Sequence, residues 1–158
     1  TYNENGFHGH PDPIQAHRVT VAALSKLDYA PTLYFNAVPE SVMEKMRERW
    51  EEEERASIAE AAARGVEREP DPPEVNDQGE EIQLGTPDDQ IDVTVDVSAV
   101  ADAKHDALAS HASQIDDSFW MRLTREEFAR VMGREWFVRA ANPLGLEGPA
   151  ADIMVGYR

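Results

Sequence analysis

Residues 90–114 read QIDVTVDVSAVADAKHDALASHASQ. Positions 90–97 alternate. Ile91, Val93, Val95 and Val97 fall on one side and Asp92, Thr94 and Asp96 on the other, which is the period of a strand with one buried face. Asp92 and Asp96 share a polar face and could pair at a site, but alternate polar positions on a solvated strand explain them more simply. Ser98 stands where a helix N-cap belongs, and 99–114 predicts a helix in which His105 is a surface residue. A strand that runs straight into a helix argues for a mixed α/β domain.

Working outward, TLYFN at 32–36 is a short aromatic strand candidate. A long helix is expected from about residue 39, with Met43, Met46, Trp50, Ser57, Ile58 and Ala61 roughly on one face. Its charged middle, Arg47 to Arg55, reads as a solvated surface laced with i,i+4 Glu–Arg pairs rather than an acidic binding face. Residues 66–89 are rich in Pro, Glu, Asp and Gly and predict an exposed loop. Downstream, Thr124 and Glu127 form a capping-box pattern for a short helix to residue 132. Positions 135–141 predict a last strand, and 142–158 a tail across the surface. Asp116 and Asp117 lack the loop that a calcium site requires. Two or three strands make a poor independent sheet, so periodicity alone leaves the fold unclosed.

The chain has 158 residues with 31 acidic and 15 basic side chains, a formal charge of −16. One domain is expected. Such an acidic surface repels phosphate backbones, so nucleic acid is not an expected partner. The absence of cysteine excludes disulfides, zinc-thiolate sites and cysteine nucleophiles. No apolar run spans a bilayer and no signal peptide is visible, so the expectation is a cytoplasmic protein without membrane contact. The first residue is Thr rather than Met, which leads us to expect residues upstream of it.

Residues 6–23, GFHGHPDPIQAHRVTVAA, carry the chemistry. Gly6 and Gly9 bracket His8, His10 precedes Pro11, and Asp12 and Pro13 suit a helix N-cap and first position, with the helix running to about residue 27. A helix start presents free amides and positive potential to an anion or a polarised carbonyl, and a fixed imidazole beside it could donate to a developing oxyanion. The plainer alternative is that Asp12 caps the helix and His10 fills a turn.

This stretch resembles the second signature of the LmbE-like enzymes, a family of N-acetyl-sugar deacetylases and amidases that includes GlcNAc-PI de-N-acetylase, the mycothiol-pathway deacetylase and the mycothiol-conjugate amidase. There the pattern is Gly-Tyr/Phe-x-Gly-His-Pro-Asp-His, then x-x-x-His and an apolar helix. DAKHDALASHASQ at 102–114 is similar to the family's Lys-x-x-Ala-Leu-x-x-His-x-(Ser/Thr)-Gln helix, and ADIMVGYR at 151–158 resembles the tail of the amidase branch. The anchors occur in family order over nearly the whole chain.

The resemblance implies the C-terminal half of a single Rossmann-like LmbE-type α/β domain spanning 1–158. Its helices would pack on a mostly parallel sheet completed by a missing or separate N-terminal half, the expected partner. It further implies a zinc-dependent hydrolase acting on an amino-sugar or thiol conjugate. His10 would stabilise the tetrahedral intermediate or protonate the leaving amine, with His8 where some members carry a Tyr that contacts the oxyanion. Asp12 would orient its neighbours, and His111 and Gln114 would support the pocket.

Two departures stand out. The family's third zinc ligand, the last His of its motif, is Pro13 here, which cannot bind metal; His17, one turn on, is a weaker candidate. The Ala-His-Pro-Asp-Asp-Glu segment that supplies the other two ligands and the base is absent. The alternative reading is thus a degenerate member that binds a sugar or thiol conjugate without zinc or catalysis, and a plain interaction domain is a third. Substrate identity stays open, a role in natural-product biosynthesis fits as well as a thiol pathway, and a homo-oligomer is compatible with the sequence.

Overall fold

The computed structural model describes residues 1–6, 9–70, 84–115, 119–142, 145–146 and 148–154. Helix α1 spans Pro11–Leu24, strand β1 Leu33–Ala37 and helix α2 Glu40–Ala63. Strand β2, Val93–Asp96, feeds a 3-10 turn at Ser98–Val100 and helix α3, Ala101–Ala109. Short helices α4 (Ala112–Ile115), α5 (Phe119–Arg122) and α6 (Arg125–Met132) lead into β3, Arg134–Ala141.

The strands form one sheet in the order β1-β3-β2, with β3 antiparallel to both neighbours. Phe35 faces Val138 and Ala37 faces Trp136 on one side of β3, while Val93 faces Phe137 on the other. The expected mostly parallel sheet is therefore corrected for the described strands. The reason lies in the connections. Because β1 and β2 both oppose β3, they run parallel to each other, as a strand–helix–strand crossover through α2 requires. The last strand then enters between them from the far end, so each ladder is antiparallel although the crossover itself follows the usual logic.

Both outer edges carry further backbone pairing. The amino group of Thr1 donates to Tyr34 O at 3.0 Å, and Asn36 N–H donates to Thr1 O at 2.8 Å. On the opposite flank Ala150 makes a parallel bridge to Val93, with Thr94 N–H donating to Ala150 O and Ala150 N–H to Asp92 O. The expected surface tail is thus bound in part to the sheet.

The best-buried side chains are Val93 and Phe128, joined by Ala37, Met43, Ala101 and Leu123. Phe128 comes from α6, whose start shows both halves of the capping box: Glu127 N–H donates to Thr124 Oγ1, and Thr124 N–H donates to Glu127 Oε2. Helix α2 follows Pro39 without a side-chain cap of its own. Asp88 supplies one from a distance, accepting from Ser41 N–H at 3.0 Å and from the Ser41 hydroxyl. Residues 84–89 are therefore docked on α2 rather than loose, and residues 71–83 of the expected loop lie outside the described residues. Gly85 adopts φ +106°, and an added Cβ would come within 3.1 Å of the Glu40 Cα. That close approach of two backbones is what glycine allows.

Candidate functional site

A helix start leaves backbone N–H groups without partners inside the helix. In α1 an imidazole meets one of them. His10 is the N-cap, extended at φ −65° and ψ 137°, and its Nδ1 accepts from Asp12 N–H at 3.1 Å. Pro11 favours this arrangement, because a residue before proline is driven to the extended region that an N-cap needs. The expected caps shift accordingly. Asp12 lies inside the first turn, where a carboxylate suits the positive end of the helix. Pro13 is the helix's third residue, at a position whose N–H would have no helical partner anyway.

The cap bond fixes the tautomer. A nitrogen that accepts carries no proton, so neutral His10 holds its hydrogen on Nε2 and offers that atom as a donor. His17, on the inward side of α1, has the opposite arrangement. Its Nδ1 lies 2.9 Å from Tyr2 O, and a carbonyl can only accept, so Nδ1 carries the hydrogen and Nε2 keeps its lone pair. The ring stacks at a tilt on Phe35 of β1, with centroids 5.2 Å apart. A ring N–H bound to a backbone carbonyl is the usual outer support of a metal-binding histidine.

One lone pair is not a metal site. Pro13 contributes no donor, and among the described residues no three side chains of His, Cys, Asp or Glu come together to hold an ion. These residues do not fit zinc by themselves.

His8 lies outside the described residues. His111 sits in the turn between α3 and α4, where its N–H donates to Leu108 O, and Gln114 N–H donates to His111 O. Both are exposed, and their hydrogen bonds are local. The expected single helix over 99–114 is broken there, and Ser98 caps nothing. Its N–H and hydroxyl instead donate to Asp96 Oδ1, holding that carboxyl below the usual carboxylate range. Asp92 does not pair with Asp96: its Oδ2 accepts from Arg139 N–H at 2.7 Å.

Two neighbours on α3 were not singled out by sequence as structural. Lys104 donates to Met132 O and to Glu135 Oε1, tying α3 to the end of α6 and the start of β3. His105, expected on the surface, has its side chain 15% exposed and stands edge-on against Phe128 at 5.0 Å. His105 lies four residues after the buried Ala101 and three before the half-buried Leu108, which places it on the inner face, a signal that its polar character masked.

With this geometry in hand, comparison with known proteins decides the family. The chain is 34% identical over 156 residues to a protein of Salinispora arenicola named 1D-myo-inositol 2-acetamido-2-deoxy-alpha-D-glucopyranoside deacetylase, across 96% of this chain and 45% of that one. Proteins of the same name are 35% identical in Acidothermus cellulolyticus (99% of this chain, 50% of that one) and 32% identical in Mycolicibacterium smegmatis (99% and 52%). The chain belongs to the LmbE-like family. This LmbE-like chain spans about half the length of the curated relatives it matches. No family model and no solved structure matches it. Among the described residues no helix is long and apolar enough to cross a membrane.

Proposed function

We propose that this chain is the C-terminal half of an LmbE-like amide hydrolase that removes the acetyl group from an amino-sugar conjugate, its cleft completed by the other half of the longer protein. The observation that carries the reading is His10 at the mouth of α1, pinned by Asp12 N–H so that its hydrogen is held on Nε2.

When water adds to an amide carbonyl, negative charge collects on the carbonyl oxygen, and a preplaced donor lowers that barrier. His10 suits this role better than that of acid for the amine. If Nε2 gave up its only proton while Nδ1 still accepted from Asp12, an imidazolate would remain; if Nδ1 were protonated first, the cap bond would be lost. Asp12 then positions His10 through its backbone, and His111 in the turn after α3 and Gln114 on α4 would support the pocket once the other half completes it.

Two features favour a further half. The Thr1 bonds to Tyr34 and Asn36 are the slanted pair of a parallel ladder, so a strand leading into Thr1 would lie parallel to β1 and extend the sheet in Rossmann-like fashion. Helix α1 also leaves apolar side chains outside, with Val19 58% and Val21 41% exposed, and neighbouring exposed apolar side chains suit a covering partner. Zinc, which the family implies, would be held mainly by side chains of that other half, with His17 Nε2 as this chain's available donor.

Pro13 favours one rival, a degenerate member that binds the conjugate without cleaving it. Acetate release by the full-length protein from the acetamido-sugar inositol conjugate separates the two. Turnover with bound metal is the expected result. Saturable sugar binding with no metal and no acetate would replace the hydrolase reading by the rival.

A further inference from the structure

Away from α1, helix α2, the end of α6 and the start of β3 enclose a groove of about 260 Å³. Its charged lining is wholly cationic: Lys45 and Arg49 from α2, Arg130 from α6 and Arg134 from β3. The chain carries 31 acidic residues, yet none lines this groove. Between the cations lies an apolar floor that includes Met46, Val131 and the half-buried Trp136.

Arg49 is held by Glu127 at 3.3 Å and Glu53 at 3.7 Å, so the capacity for an anion lies with the other three cations. Arg130 pairs with Glu126 at 3.1 Å, but a guanidinium has five N–H donors and one such contact leaves several. Lys45 and Arg134 have no ion pair among the described residues and act on Asp88 and Asp96 only through the longer-range field. Lys45 and Arg49 stand four apart on one helix face, a spacing at which like charges repel. Arg134 and Trp136 stand two apart on β3 and so share a face of the sheet. Together they join a positive rim to an aromatic surface.

We infer that this groove is a binding site for a small organic anion, a phosphate or carboxylate on a flat apolar body, with the head group between the two cationic walls and the body on Trp136. Arginine forks suit both head groups, and an indole face suits a planar body. The site is distinct from the amide-cleaving chemistry proposed at His10, and its test does not use that activity.

The probe is phenyl phosphate added to the full-length protein, followed by tryptophan fluorescence and by amide shifts of Arg134 and Trp136. Saturable binding is expected, at least tenfold tighter than phenol, which lacks the charge, and inorganic phosphate, which lacks the ring. It should weaken at least tenfold in R130E/R134E and be partly kept in R134K, while R18E on α1 changes nothing; circular dichroism of each variant verifies folding. High salt should weaken it as well. The site is overturned if phenyl phosphate gives no saturable change, if phenol or inorganic phosphate binds as tightly, or if a folded R130E/R134E binds as the parent does.

Discussion

At the scale of single residues, His10 does two jobs that one substitution can separate. Asparagine is among the best N-cap residues, whereas alanine cannot cap. In the full-length protein H10N should therefore keep the stability of α1, while H10A loses about 1 kcal/mol in urea unfolding. Both should lose acetate release by roughly 100-fold or more, because neither supplies an imidazole donor. Activity in H10N near that of the parent would assign His10 to capping alone. Sequence placed His10 at this junction, because Pro11 and the glycines fix a loop-to-helix turn. It could not tell which side chain caps, because Asp12 is the better cap by type and only the helix start at Pro11 removes it from that position. Spacing alone offered Asp92 and Asp96 a shared site, with solvated strand positions as the simpler reading, and each carboxylate is taken by a separate donor, Arg139 N–H and the Ser98 group.

At the scale of elements, local signals were legible where donor and acceptor lie within a few residues. The Thr124–Glu127 box is the clearest case, and T124A should cost about 1 kcal/mol of stability, measured as a shift of the urea midpoint at unchanged slope. An unshifted midpoint would mean that α6 is held by Phe128 alone. The solvated face of α2 also follows its sequence, with Arg49 close to Glu53 and Arg64 paired with Glu60. What could not be read is any contact between distant segments. The N-terminal cap of α2 is Asp88, which no periodicity connects to Ser41, and Lys104 meets Glu135 across 31 positions. The break after Ala109 escaped notice for a related reason: the family-like helix pattern continues through it in sequence, while the backbone turns at Ser110 and His111.

At the scale of the molecule, strand directions depend on long connections, so the antiparallel insertion of β3 was outside the reach of residue patterns. The electrostatic response is a property of the whole as well. Asp88 is held below the usual carboxylate range by the Ser41 hydroxyl and N–H, Asp96 by Ser98, Asp106 by Arg125, and Glu127 by Thr124. Each binds fewer protons folded than unfolded near its ordinary value, so unfolding free energy rises with pH through that range. Their contribution is complete above about pH 5 and fades as pH falls through the lowered values. The urea midpoint of the full-length protein should accordingly be lower near pH 4 than at pH 7; equal midpoints would show that these bonds persist in the unfolded chain or do not form.

The bridge between Ala150 and Val93 has a practical outcome for anyone shortening the protein. Removing the residues from Pro149 onward would strip the flank of β2, and the bare amide of Thr94 and carbonyl of Asp92 would become a template for strand addition from another molecule. Such a truncation is expected to self-associate in a concentration-dependent way even if every other part of the sheet stays intact.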